Sequence, residues 1–212
     1  GCYNNQCGDS FCLGDEATIV ANTSIQSGTE TYQVNSIPFN PEVVSGVSIP
    51  LMDDDVQGPF PIGFQFQFYG NSYSNFYVGS NGWVGFSSGQ PTSLTAYPIP
   101  DSISFGVPKD CIMLSWEDLN PAVGGQVIYQ TIGNSPNRKF VLTFDNVPHY
   151  GTTTASPMTS QIVLHEGNNL IDNHVTNKDS SNSNNSVQGI HDLLGLNATV
   201  VTGRNATVWS TS

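Results

Sequence analysis

An all-β fold, an antiparallel two-sheet β-sandwich of jelly-roll-like type, follows from three features of this 212-residue sequence. Ile62, Phe64, Phe66 and Phe68 recur at every second position with Gln65 and Gln67 between them, the period of a strand with one face in a core. Gly70-Asn71 ends that run, and Ser80-Asn81-Gly82 divides two apolar runs at 76–78 and 83–86 as a tight hairpin. Nowhere do apolar residues hold the i, i+3, i+4, i+7 spacing of a helix face over a useful length.

The same reasoning places strands at 30–34, 62–68, 76–79, 82–86, 111–116, 126–131, 139–144, 160–165, 170–175, 187–190 and 206–210. Turn chemistry separates them, as in Gly133-Asn134-Ser135-Pro136-Asn137 and Glu166-Gly167-Asn168-Asn169. About ten short strands joined by polar turns suit two packed sheets. The Ser/Asn-rich stretch 178–186 reads as an exposed loop. Residues 1–30 carry little apolar periodicity and read as a cysteine-containing N-terminal arm that needs tethering, ahead of a single domain at 31–212. A chain of this length buries about 70% of its unfolded surface, enough for one sizeable core.

Five basic against 17 acidic residues, a net charge of -12, argue against a grip on nucleic acid or on an anionic membrane surface. No apolar run reaches the 18 or so residues of a spanning helix, so membrane insertion is not expected, and the chain reads as a mature or excised piece. Cys2, Cys7 and Cys12 crowd the arm and Cys111 precedes an apolar strand. An even count in a chain rich in Asn, Ser, Thr and Gly is expected to form disulfides, with one arm cysteine bonded to Cys111 and the other two closing a small loop. Zinc fits less well, because both gaps between the arm cysteines are four residues long. Disulfides imply a secreted, extracellular setting at a cell surface.

Catalysis finds little support. No GxSxG elbow occurs, and Gly79-Ser80-Asn81-Gly82 is explained by the hairpin. Of His149, His165, His174 and His191, only His165 and His174 fall on one hairpin; His174 is expected near Gln161, too far along the ladder to share a metal with His165, and both read as solvent-facing. Asp53, Asp54 and Asp55 beside Gln57 and Gly58 offer clustered oxygen ligands, so Ca2+ is one reading and a solvated capping turn the other. Glu117 and Asp118 read as a turn-forming strand end. Trp83 and Trp116 suit a core better than a sugar platform, and the sequons at Asn22, Asn184, Asn197 and Asn205 are no more than chance gives in this composition.

Several strand signatures, in order, resemble those of nidogen-like extracellular domains: SNGWVGF at 80–86, LSWEDLN at 114–120, QVIY at 126–129, FVLTFDNVPHY at 140–150 and QIVL at 161–164. Asp53, Asp54 and Asp55 ahead of the Ile62-Gly63-Phe64 strand, and Gly203-Arg204-Asn205 ahead of Trp209, are similar to features of large secreted surface proteins of bacteria, especially Bacteroidetes. The resemblance covers roughly residues 45–212 and implies a non-catalytic module of adhesion or matrix proteins, whose partners are other surface proteins or copies of itself. A carbohydrate-binding module taking glycans is the alternative, and a carboxylate-based hydrolase a third reading.

Overall fold

The computed structural model describes residues 30–151, 155–180 and 184–211 in full, and only the backbone at 2–4 and 10–12. In the arm, β1 (Cys2–Asn4) pairs antiparallel with β2 (Ser10–Cys12), placing Cys2 opposite Cys12. The remaining strands are β3 (Val47–Ile49), β4 (Val56–Phe68), β5 (Asn71–Gly79), β6 (Trp83–Gly85), β7 (Cys111–Trp116), β8 (Gln126–Ile132), β9 (Lys139–Val147), β10 (Met158–His165), β11 (Ile171–Asn177), β12 (Ser186–His191) and β13 (Ala198–Thr207). They form a five-stranded sheet in the order β11-β10-β9-β8-β3 and a six-stranded sheet in the order β13-β12-β7-β6-β5-β4, antiparallel throughout.

The period-2 pattern sets which face meets the core. Ile62, Phe64, Phe66 and Phe68 of β4 are buried as the alternation requires, and they join Phe76, Phe86, Phe140, Leu142 and Phe144 between the sheets. At about 25 cal/mol per Å² of apolar surface, each such ring contributes on the order of 2–3 kcal/mol, and together they hold the sheets face to face. Pro59 and Pro61, which cannot donate to a ladder, lie in β4, an edge strand.

Strand β7 is buried at all six positions, because both of its faces are covered. Ile112 and Leu114 enter the central core, while Cys111, Met113 and Trp116 join Trp83 and Val187 in a second cluster with Ala96, Ile99 and Val107. That second cluster is capped by the connection 87–110. Gln90 Nε2 donates to Lys109 O at 2.6 Å, Trp116 Nε1 to Ser93 O at 3.0 Å, and Asn205 Nδ2 to Ile99 O at 2.8 Å. A run such as CIMLSW, apolar without alternation, is what a strand buried on both sides needs.

Two strand expectations are corrected. Residues 30–34 form no strand: Tyr32 alone anchors this stretch, packing on Phe68 and Tyr69, and the chain then crosses the open side of the sandwich as a strap. It is tied down at Glu42, whose backbone exchanges two hydrogen bonds with Gln161 (2.7 and 3.0 Å). The final strand is β13 at Ala198–Thr207, not 206–210; irregular register against β12 accommodates its Gly203 and Asn205. The described ends of the 178–186 stretch are also less exposed than its composition suggests, since Lys178 and Ser186 are buried.

Candidate functional site

At one end of the sandwich four connections converge: the turn at 53–55, the hairpin at 80–82, the segment 117–120 after β7, and 148–150 after β9. The hairpin holds the first and third together. Ser80 N–H donates to Asp55 O at 2.8 Å and Ser80 Oγ accepts from Asp55 N–H at 2.9 Å. Asn81 Nδ2 donates to Asp54 Oδ1 at 2.8 Å, while Asn81 Oδ1 accepts from Leu119 N–H at 2.9 Å. Gly82 sits at φ +80, where an added Cβ would lie 2.4 Å from Ser115 O, so only glycine lets the hairpin close onto β7.

This splint brings Asp53 and Asp54 to Asp118, with one carboxylate oxygen of each within 4.8 Å of the others. Asp55, expected with the first two, is not in the group. Its Oδ2 accepts from Met52 N–H and Gln57 Nε2 at 3.2 and 2.8 Å, so it caps the turn, as short acidic side chains do. Asp53 Oδ1 is shut off from solvent and has no hydrogen-bond partner among the described residues. Burial, then the charge of Asp54, raises the Asp53 pKa. Asp118 is pushed up to about 6, first by burial and then by Asp54, Asp53 and Glu117, with His149 acting in the opposite sense.

Beside this cluster lies a second, fully enclosed one. Glu117 Oε1 accepts from Ser115 Oγ at 2.7 Å, and its Oε2 is 3.3 Å from both His149 Nδ1 and Lys178 Nζ, with no side-chain exposure at Glu117, His149 or Lys178. Lys178 and Arg204 both lie over the Trp209 ring, at 4.8 and 4.1 Å from its centroid. Sequence reasoning missed Lys178, placed in a loop by composition, and Asp118, read as a turn. The available signal was Asn81, half-hidden in a hairpin motif: its side chain donates to Asp54, 27 residues away, and accepts from the N–H of Leu119, next to Asp118.

Other expected residues are placed as follows. His174 pairs with Gln161 as the register implied, but it is buried against the Phe39 ring instead of facing solvent. His165 Nε2 lies 2.8 Å from Asp172 Oδ2. His191 is buried, with Nε2 accepting from Asp101 N–H at 3.2 Å and Nδ1 2.8 Å from Pro108 O. Cys111 is a free thiol, fully buried in the cluster capped by 87–110, and burial raises its pKa well above the ordinary value. Among the described residues Cys111 forms no disulfide, and the layer over it is filled by the chain's own connection. The side chains of Cys2, Cys7 and Cys12 lie outside the described residues. Trp83 and Trp116 are fully buried, whereas Tyr97 and Tyr150 are exposed.

A two-sheet antiparallel sandwich with splinted acidic end turns defines a β-rich module, a class in which function resides in the sites and not in the fold. The sequence model of the NIDO-related family matches residues 22–212, and the chain belongs to that family. The match makes it an extracellular type of module, from a family not known for enzymes. No curated protein and no solved structure matches it. Among the described residues no helix is long and apolar enough to cross a membrane.

Proposed function

We propose that this chain is a non-catalytic structural or adhesive module of an extracellular protein, clamped by calcium at Asp53, Asp54 and Asp118. One observation carries the non-catalytic reading. Glu117, His149, Lys178 and Ser115, the groups at this end that could pair as base and nucleophile, are sealed from solvent around the Glu117 carboxylate, out of a substrate's reach, which leaves only the acids Asp53, Asp54 and Asp118 open. Catalytic groups must touch the reacting atoms.

The open acids support the clamp. Three carboxylates and an unpaired, solvent-free carboxylate oxygen suit a hard cation, which takes six to eight oxygens and would complete its shell with backbone carbonyls and water. By binding only the folded state at about 100 times its Kd, calcium would add roughly 2.7 kcal/mol to stability. The test is a thermal melt in millimolar calcium and in chelator, for the wild type and for D118N. A calcium-dependent rise confined to the wild type supports the clamp; equal melts in both media remove it.

Assembly with other surface proteins or with a second copy of the chain, through residues 1–30, belongs to the same reading. Light scattering of the full chain and of a chain lacking those residues tests it, and equal masses would leave a monomeric module.

A further inference from the structure

The open side of the sandwich, between β11 of one sheet and β12–β13 of the other, is a groove with three chemically distinct parts. Beneath the strap at 31–37 lies a chamber of about 510 Å³ whose walls include the aliphatic side chains of Ile112, Ile171, Ile190 and Val201. Tyr32 is its one aromatic ring. Asn173 and Gln188 line both this chamber and an adjoining, more open depression of about 390 Å³, so the two form one continuous cleft. In the open part lies Arg204.

Two polar groups there are unspent. Asn173 Oδ1 is buried without a hydrogen-bond partner, although its Nδ2 donates to Met113 O at 3.4 Å. Arg204 is one of five cations in a chain with 17 acids. Arg138, Lys139 and Lys178 each pair with a glutamate, and Lys109 Nζ donates to Ser102 O at 3.0 Å. Arg204 donates to Gln188 Oε1 and lies over Trp209, with no carboxylate in ion-pair range among the described residues. In an acidic protein, a partly buried guanidinium without an acid beside an aliphatic chamber is a place for a ligand to supply the anion. Asp172, at the chamber end, has its own partner in His165.

We propose that this cleft binds an aliphatic carboxylate, with its chain in the chamber beneath residues 31–37 and its carboxylate on the Arg204 guanidinium. The cleft size lies within the 300–1,000 Å³ usual for small-molecule sites, and the chamber's walls, which present mainly apolar surface with Tyr32 as their single ring, favour an alkyl chain over a sugar ring, which needs aromatic faces to stack on. Asn173 Oδ1 and Gln188 mark the junction, where a hydroxyl or amide N–H on the ligand finds an acceptor. The proposal is independent of the cation clamp, which lies among the end turns and shares none of these residues.

The test uses the full chain and dodecanoate below its micelle concentration, followed by calorimetry and by the methyl signals of Ile112, Ile190 and Val201. Dodecanoate should bind and shift those methyls. Each methylene removed, through decanoate to octanoate, should weaken binding about three- to fourfold, as about 0.8 kcal/mol per CH₂ implies. Arg204→Gln should weaken dodecanoate at least about tenfold and leave dodecanol unchanged, while Arg204→Lys should restore most of the loss. Val201→Trp, which fills the chamber without touching the guanidinium, should abolish binding of both. Circular dichroism checks that each variant folds; should Arg204→Gln not fold, the lysine and tryptophan variants still decide. Absence of dodecanoate binding, no dependence on chain length, or equal affinity in Arg204→Gln would overturn the proposal. So would preference for an aliphatic peptide with a free C-terminal carboxylate, which would make the cleft a peptide groove.

Discussion

Glu117 and Asp118 are consecutive, yet their carboxylates meet opposite fates. Glu117 turns inward and is compensated from within the chain by Lys178, His149 and Ser115, all enclosed. Asp118 turns toward Asp53 and Asp54, and burial together with this mostly negative surrounding pushes its pKa up to about 6. The two sites show two ways of keeping an acid out of bulk water. One imports a cation as a side chain, fixed when the chain folds; the other, on the clamp proposed above, would take that cation from the medium. The first carries its counter-charge within the fold, whereas the clamp proposed for the second would make stability depend on ions and on pH.

Breaking the internally compensated side should have the largest effect. Lys178→Met keeps the aliphatic stem over Trp209 but strands Glu117 with half its compensation, and removal of one partner from a buried pair typically costs about 3–5 kcal/mol. A urea melt should show a lower midpoint with unchanged slope. Replacing both members, in the double variant Glu117→Leu, Lys178→Met, should recover much of the loss, because two charges then no longer need desolvation compensated. A double variant as unstable as the single one would mean that the pair shapes the fold through geometry and not charge.

The contrast between the two clusters also marks what was legible in the sequence. The second halves of β4 and β5, and β6 and β7, could be read directly because alternation, hairpin glycines and a doubly buried run are local signals, whereas 56–61 and 71–75, with prolines or few apolar residues, carry no such signal. The strap could not: at 30–34 the pattern imitates a strand, and only Tyr32 finds a packing site, on Phe68 and Tyr69. At the acidic end Asp53 and Asp54 were legible as neighbours in sequence, whereas Asp118 is brought to them by Asn81, which bonds Asp54 across the whole of β4 and β5 and holds the N–H of Leu119 beside Asp118. Lys178 was hidden for a different reason. Composition assigns a lysine in a Ser/Asn run to solvent, and only the arrival of Glu117 and Trp209 from distant strands makes its burial affordable.

Changing the externally compensated side should act more weakly and with the opposite sign. Without a cation, Asp118→Asn removes one of three mutually repelling charges while its backbone carbonyl still accepts from Tyr150 N–H, so the variant should gain about 0.5–1 kcal/mol. With calcium present the ranking should invert, since the wild type alone gains the binding increment. Melts of both proteins, with and without calcium, give the four values needed; a variant less stable than the wild type in chelator would show that Asp118 makes a favourable contact that outweighs the repulsion.

The smallest effect, and the most diagnostic of the comparison, is in the pH dependence. The folded pKa of Asp118, about 6, lies above its ordinary carboxylate value of 3.8, so between these the native state holds a proton that the unfolded chain has released. Asp118's contribution to stability therefore falls as pH rises from about 4 to about 6. Glu166 has the opposite sign: Arg138, bonded to it at 2.6 and 2.8 Å, holds it down at about 2, so its contribution is full above its ordinary range and is lost only as pH falls toward 2. Across pH 4.5 to 6.5 without calcium, the wild type should lose stability relative to Asp118→Asn, with Glu166 contributing little slope. Adding calcium should reverse that trend, because every carboxylate that releases its proton gains affinity for the cation, and metal binding and proton release are then linked at one residue. Parallel pH profiles for the wild type and the variant in chelator would place the titrating acid elsewhere and leave the trio as a solvated turn.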